Sequence, residues 1–320
     1  MKLLTNSIAK TALVLGLCLP FSQAQAQPSP TQPTARGAGP GQRAGRGMLG
    51  GDPRVQHRTY LFTNTSETLP YSVFVSSKVS KDTKAPLILA LHGMGGNPDT
   101  LLRGAAINLA EEGGYILVGP MGYNSVGSFG MRMGGRGGTG RRGGPSTNAP
   151  SAAPQTRGGR GIGMNLPVRG GTAETNSAKV AEYSELDAMN VLEMVRKEYN
   201  VDDSRIYLMG HSLGGGGALH MGDKFASIWA GVAALAPAAF GFQPSAQSKF
   251  KDVPLLVLQG DADTTVQPAM TDRLANQLKN LNYTSEYKVM PGVDHGSIIS
   301  SAMPDVFQFF AKHTKPAPKN

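Results

Sequence analysis

The stretch 205–217, Arg-Ile-Tyr-Leu-Met-Gly-His-Ser-Leu-Gly-Gly-Gly-Gly, decides the fold of this 320-residue chain. Its first five residues are rich in apolar and β-forming side chains, which predicts a strand, and a helix is predicted at 214–221. Gly-His-Ser-Leu-Gly between them is the G-x-S-x-G pattern, in which a serine occupies a sharp strand-to-helix turn. Crowding at such a turn requires tiny neighbours, which gives Gly210 and Gly214 a physical role. We predict that Ser212 is a nucleophile exposed on this turn.

Strand-like and helix-like segments alternate on both sides of this stretch. An antiparallel pair is predicted at 58–63 and 69–76, and the wholly apolar run 86–92 suits a strand buried on both faces. Further strands are predicted at 115–119, 231–236, 254–259 and 286–290, and further helices at 100–112, 178–199, 269–281 and 298–312. This order predicts an α/β fold with a mostly parallel central sheet and helices on both faces.

A serine hydroxyl needs a base that removes its proton, and that base needs an acid that orients it. Asp261 and Asp263 directly follow the predicted strand 254–259, and both are candidates for the acid. His295 follows the last predicted strand, so its side chain can reach back over Ser212. Four other histidines have simpler explanations. His57 precedes the first strand, His211 lies on the turn itself, His220 lies in the next helix, and His313 is near the C-terminus. We predict that His295 is the base.

These features resemble the α/β-hydrolase family, and within it the esterase and prolyl-oligopeptidase-like group that includes polyhydroxybutyrate depolymerases, feruloyl esterases and acetyl xylan esterases. The resemblance extends over residues 86–312 and depends most on 187–202 and 205–212. It implies the α/β-hydrolase fold and a catalytic order of serine, acid and histidine. It also aligns residues 260–266 with the G-x-x-D-x-x-V turn of the family. That alignment makes Asp263 the catalytic acid and leaves Asp261 as a turn residue.

The segment Leu-His-Gly-Met-Gly-Gly at 91–96 resembles the HG oxyanion loop of the same family. The resemblance implies that the backbone amides of Met94 and Leu213 stabilise the negative charge that develops on the substrate oxygen. His92 would then support the loop. A phosphate-binding loop is the competing interpretation of these glycines, but no Lys-Ser or Lys-Thr follows them. The implied reaction is hydrolysis of a carboxylic ester, small or polymeric, through an acyl-enzyme, with no metal and no organic cofactor.

Two departures from the family leave other functions open. No propeller-like segment precedes the predicted catalytic domain at 52–320, so size-gated peptide cleavage is less favoured, but a secreted prolyl-oligopeptidase-like peptidase remains an alternative. A Gly/Arg-rich insert at 123–171 separates the predicted strand 115–119 from the helix 178–199. An alternative of another class is therefore a non-catalytic polyanion- or surface-binding protein that acts through such tracts. The complete set of serine, acid and histidine argues against it.

Low-complexity composition marks the insert and the segment 27–51. The insert contains 15 glycines, seven arginines and no acidic residue, and 27–51 is rich in Pro, Gly, Ala and Arg. Neither has enough apolar residues to offset the entropy lost on ordering a backbone, so both are predicted to be disordered. Together they contribute a charge of +10, which exceeds the net charge of +9 of the whole chain. Two interpretations of the insert stay open: a cationic tether whose arginines contact polyanions, and a tolerated loop expansion without a function of its own.

Residues 1–26 are typical of a signal peptide. Lys2 and Lys10 precede or flank an apolar run at 11–21, and the Ala24-Gln-Ala26 sequence is a small-residue cleavage site. We therefore expect a secreted or periplasmic protein. Cys18 is the only cysteine, and its position within this segment predicts a mature chain without disulfides. No other apolar run approaches the length of a transmembrane helix, so no transmembrane segment is expected in the mature chain.

Overall fold

Eight strands form one sheet in the computed structural model, which describes residues 51–131 and 168–316. The strands are β1 (Gln56–Phe62), β2 (Glu67–Val75), β3 (Ala85–Leu91), β4 (Ile116–Pro120), β5 (Val201–His211), β6 (Gly231–Leu235), β7 (Leu255–Gly260) and β8 (Ser285–Met290). The helices are α1 (Ala105–Gly113), α2 (Ser177–Glu198), α3 (Leu213–Lys224), α4 (Pro268–Asn280), α5 (Ile298–Ser301) and α6 (Met303–Lys312). The strand order is β1-β2-β4-β3-β5-β6-β7-β8. The β1–β2 and β2–β4 pairs are antiparallel and all other pairs are parallel, which confirms the predicted sheet.

Helices cover both faces of this sheet, as predicted. Along β3, Leu87 and Leu89 join the core under α2, α3 and α4, whereas Ile88 and Ala90 join the core under α1 and α6. All seven residues of β3 are buried, which explains why its sequence lacks polar alternation. Every described residue belongs to one compact unit. Among the described helices, none combines the length and the apolar character needed to cross a membrane.

The largest differences from the predicted helices are at the start of α1 and within 298–312, each for a local backbone reason. Helix α1 begins at Ala105, five residues later than predicted, because Gly104 has a φ of 54° and cannot continue a right-handed helix. The helix predicted at 298–312 is split into α5 and α6. Pro304 lies in the first turn of α6, where the missing amide hydrogen is tolerated, and it prevents one continuous helix.

The ends of the Gly/Arg-rich insert are packed rather than disordered, so the prediction for 123–171 was wrong at both ends. Tyr123 and Phe129 are completely buried, and Asn124 forms an isolated β-bridge with Gly170. The aromatic side chains supply apolar burial that the overall glycine and arginine content concealed. Residues 132–167 lie outside the described residues, as do the predicted signal peptide at 1–26 and the segment 27–50.

Candidate active site

Ser212 occupies the junction between β5 and α3 in a strained backbone conformation. Its φ of 56° and ψ of −116° lie outside the regions that non-glycine residues normally adopt. A Cβ atom on Gly210 would overlap the carbonyl oxygen of Gly214, and one on Gly214 would overlap the carbonyl oxygen of Leu91. Both glycines are therefore required by close backbone approach, which is the role that the sequence predicted.

The three predicted side chains form one hydrogen-bonded chain. Ser212 Oγ lies 2.9 Å from His295 Nε2, and His295 Nδ1 lies 2.7 Å from Asp263 Oδ2. A carboxylate only accepts hydrogen bonds, so His295 donates its Nδ1–H to Asp263. In the neutral ring Nε2 then presents its lone pair to the serine hydroxyl. This is the geometry in which a serine can lose its proton to a base.

The environment of Asp263 keeps its carboxylate ionised. Its Oδ1 accepts hydrogen bonds from the amides of Thr265 at 2.8 Å and Val266 at 2.9 Å. Its Oδ2 also lies 3.1 Å from Gln259 Nε2. Burial raises the pKa of Asp263, but the hydrogen bonds from His295 and from the two amides outweigh it, so that its pKa lies below the usual value. The carboxylate that accepts the hydrogen bond from His295 is thus ionised at neutral pH.

Asp261, the competing candidate, has a different contact. Its side chain is exposed, and Oδ1 accepts a 2.6 Å hydrogen bond from the amide of Gly292. It braces the turn that leads from β8 to His295. The structure therefore brings Asp263, and not Asp261, into contact with His295. The position agrees with the turn role that the family resemblance implied for Asp261.

The segment 91–96 lies directly against Ser212. A Cβ on Gly93 would lie 3.1 Å from the Ser212 Cβ, so this loop packs directly against the serine. The amide of Gly95 donates to the loop after β4, and the amide of Gly96 donates to Gly93. Within 51–131 and 168–316, the Met94 and Leu213 amides have no hydrogen-bond acceptor. These are the two donors that the resemblance implied.

The side chain of His92 holds the 91–96 loop through its ring nitrogens. Its ring is almost completely buried, with Nδ1 2.7 Å from the Gly93 carbonyl oxygen and Nε2 2.8 Å from that of Met121. Burial lowers the pKa of His92 despite these two carbonyls. A buried ring held between two backbone oxygens fixes the end of β3 relative to the loop after β4. It is not positioned to remove a proton from Ser212.

His211 is a functional residue that the sequence reasoning did not identify. Its Nε2–H donates to the backbone carbonyl of His295 at 2.8 Å, and the two ring centroids lie 4.7 Å apart. Burial, with a smaller contribution from His295, lowers the pKa of His211 to about 4. A neutral His211 therefore positions the backbone that carries His295. The two residues are 84 positions apart, so no local pattern could reveal the contact.

The glycines of α3 accommodate the packed start of the insert. A Cβ on Gly217 would lie 2.6 Å from Phe129 Cβ, and one on Gly216 would collide with the Met131 side chain. The sequence interpretation was that Gly215, Gly216 and Gly217 allow α3 to approach the sheet. Only Gly215 faces the end of β6 in that way. Gly217 instead admits the loop that follows β4, and Gly216 admits both that loop and the Ala238 carbonyl oxygen after β6.

Several exposed apolar side chains follow the carboxyl ends of strands. Of the seven large hydrophobic side chains that are exposed in the described residues, four lie outside the helices and strands, and these are Met94, Val126, Val168 and Phe240. A fifth, Met270, lies in the first turn of α4. Phe240 and Met270 line a cavity of about 150 Å³. Phe242 also lines this cavity, although its side chain is buried, whereas that of Phe240 is exposed.

Comparison with models of protein families identifies the family of this chain. Residues 149–314 match the model of the family described as phospholipase/carboxylesterase, and this segment contains Ser212, Asp263 and His295. The chain belongs to the phospholipase/carboxylesterase family. It is accordingly a carboxylic ester hydrolase with the α/β-hydrolase fold, as the sequence predicted. The matched segment contains Leu213 but begins after the 91–96 loop, so it does not include Met94. A search of curated proteins found no match.

Solved structures share the fold at low sequence identity. A ferulic acid esterase from Anaeromyces mucronatus is 18% identical, with a TM-score of 0.56 over 80% of this chain and 90% of that one. An S-formylglutathione hydrolase from Agrobacterium tumefaciens is 15% identical, with a TM-score of 0.54 over 81% and 94%. A thermostable esterase is 18% identical, with a TM-score of 0.53, and the match covers 82% of this chain but 64% of that one, less than two thirds of its length.

Proposed function

We propose that this ester hydrolase acts through a covalent acyl-enzyme, with Ser212 as nucleophile, His295 as general base and acid, and Asp263 as the residue that orients His295. The observation that carries the proposal is the chain of hydrogen bonds from Ser212 Oγ through the His295 ring to Asp263, at 2.9 and 2.7 Å. The contact between Ser212 and His295 suffices for proton transfer, and the contact between His295 and Asp263 suffices to orient the ring. The family alone does not assign these roles.

In the first step, Ser212 Oγ attacks the ester carbonyl carbon while His295 Nε2 takes its proton. The resulting imidazolium is stabilised by the ionised Asp263. The carbonyl oxygen becomes negative and moves between the amides of Met94 and Leu213, which lack protein acceptors in the described residues. His295 then gives its proton to the departing alcohol. Water, activated by the same ring, attacks the acyl group and regenerates Ser212.

The test of this proposal is covalent labelling combined with a substrate panel. A fluorophosphonate probe should label the wild-type chain on Ser212, and Ser212→Ala should abolish both labelling and hydrolysis of p-nitrophenyl acetate. Ser227→Ala is the matched control, because Ser227 is exposed and lies outside the site. Labelling of Ser212→Ala at the wild-type rate would refute the assignment. Faster hydrolysis of aminoacyl amides than of esters would favour the peptidase alternative instead.

Export and polyanion contact complete the proposal, and both rest on the sequence. A signal peptide at 1–26 would give a mature chain that begins at Gln27 in the periplasm or outside the cell, which intact-mass measurement of the exported protein would test. The arginines of the insert would hold polyanions such as acidic polysaccharides near the site. Replacement of 132–167 by a Gly/Ser linker should weaken retention on heparin across a salt series. Unchanged retention would refute the polyanion contact.

A further inference from the structure

A cavity of about 710 Å³ lies beside the candidate active site. Its lining includes residues between Asn97 and Gly104, in the segment that continues from the 91–96 loop, together with Gly296, Ile299 and Ser300. Gly296 is the residue next to His295. The cavity therefore opens between the loop that carries one proposed oxyanion donor and the loop that carries the proposed base.

Arg103 lines this cavity with an exposed side chain that makes no ion pair or hydrogen bond in the described residues. The other segments of the chain cannot supply a carboxylate side chain, because all 22 acidic residues lie within 51–131 and 168–316. By contrast, four of the other six described arginines are paired with carboxylates: Arg54, Arg58, Arg196 and Arg205. The Arg103 guanidinium keeps its full donor capacity for a ligand.

The two carboxylates in the cavity wall are already engaged. Asp52 pairs with Arg54 at 2.8 Å. Asp99 accepts a 2.5 Å hydrogen bond from the Ser72 hydroxyl and lies 2.9 Å from His57 Nε2. Both carboxylates therefore already have partners outside the cavity lining, whereas Arg103 has none in the described residues. A guanidinium with free N–H groups pairs with a planar carboxylate or a phosphate through two hydrogen bonds.

We infer that this cavity binds an anionic group, a carboxylate or a phosphate, on the alcohol part of the ester, and that Arg103 determines this specificity. The inference rests on the proposed acyl-enzyme mechanism. His295 delivers a proton to the leaving alcohol, so the alcohol lies on the side of His295. The cavity wall formed by Gly296, Ile299 and Ser300 is on that side. An anionic group there would replace the water around the Arg103 guanidinium. No ion pair of Arg103 within the described residues would have to break.

The attraction would be local to this cavity. Residues 51–131 and 168–316 contain 22 acidic residues and 19 basic ones, because 12 of the 31 basic residues lie elsewhere. The surface of the described part is thus net negative and would not attract an anionic ester in general. Binding through one arginine also predicts that the preference for the anionic ester weakens at high ionic strength, since an exposed pair is screened there.

The experiment compares matched esters with a common butyryl group. One pair is butyryl glycolate and neutral butyryl glycolamide, and the other is 1-butyrylglycerol 3-phosphate and neutral 1-butyrylglycerol. For at least one pair, Arg103→Gln should reduce the ratio of kcat/KM for the anionic ester to that for the neutral ester about tenfold, the loss expected for a charged hydrogen bond. Arg103→Lys should reduce it less. The pair that responds distinguishes carboxylate from phosphate.

Arg273→Gln is the matched control, because Arg273 is also without an ion pair in the described residues but lines a different cavity. It should leave both ratios unchanged. Ratios that are unchanged in Arg103→Gln, or reduced equally in Arg273→Gln, would overturn the inference. A loss seen only with ethyl hemisuccinate relative to ethyl butyrate would overturn the placement on the alcohol side. Hydrolysis of the neutral esters, and its loss in Ser212→Ala, reports separately on the proposed function.

Discussion

Replacement of Asp263 by asparagine tests the most specific contact in the site. The amides of Thr265 and Val266 both donate to Oδ1, so the new side chain must keep its oxygen there. Its NH₂ group then faces His295 Nδ1, where the carboxylate oxygen lies at 2.7 Å. A donor in that place requires Nδ1 to accept, which puts the ring proton on Nε2. The ring can then no longer take the proton of Ser212.

The expected loss is large because the histidine is held in the wrong tautomer. The corresponding change in serine proteases lowers kcat by about 10⁴-fold, which equals about 5.5 kcal/mol in the activation free energy. Asp261→Asn should cost less than about fivefold, since an amide oxygen can still accept from Gly292 and the lost contact is an exposed one. The assay is kcat/KM for p-nitrophenyl acetate with both variants. Circular dichroism establishes that both are folded.

Equal losses in Asp263→Asn and Asp261→Asn would refute the reasoning, as would the reverse order. The rate of fluorophosphonate labelling gives a second readout, because it depends on proton transfer from Ser212 but not on release of the acyl group. It should fall in parallel in Asp263→Asn. A wild-type labelling rate combined with slow turnover would mean that Asp263 acts only in the second step, in which water attacks the acyl-enzyme.

Three further predictions concern stability and pH. Ser212→Gly should be more stable than Ser212→Ala by about 1–2 kcal/mol in urea unfolding, because glycine relieves the strain at a φ of 56°; equal stability would contradict that strain. The pKa of His211 is lowered to about 4 in the folded chain, so between pH 6.5 and 4 this histidine binds a proton more readily in the unfolded chain than in the folded one. The free energy of unfolding should therefore fall as the pH falls through this window, by roughly 3 kcal/mol from this group, and His211→Gln should lose that part of the pH dependence. Gly217→Ala should destabilise the fold by about 1–3 kcal/mol, because its Cβ would collide with Phe129, whereas a thermal midpoint equal to that of the wild type would show that the loop yields.

Much of the fold could be predicted because its signals are local. The apolar run of β3 and the alternation of strands and helices follow from burial and periodicity over windows of a few residues. The boundaries were less predictable, since the start of α1 depends on the backbone conformation of Gly104. The packed ends of the insert were missed for another reason. Tyr123 and Phe129 are buried by contacts with distant parts of the chain, while the composition around them is that of a disordered segment.

The sequence by itself determined the position of Ser212, because a strand, a G-x-S-x-G turn and a helix are encoded by neighbouring residues. It also placed His295 and restricted the acid to two aspartates. Only the tertiary structure brought Asp263 to His295, joined His211 to the His295 backbone and left Arg103 without a partner. Hydrogen bonds and ion pairs at these positions join groups 32 to 84 residues apart. Contacts of that kind depend on how the loops meet at the edge of the folded sheet, and no local pattern of residue types specifies them.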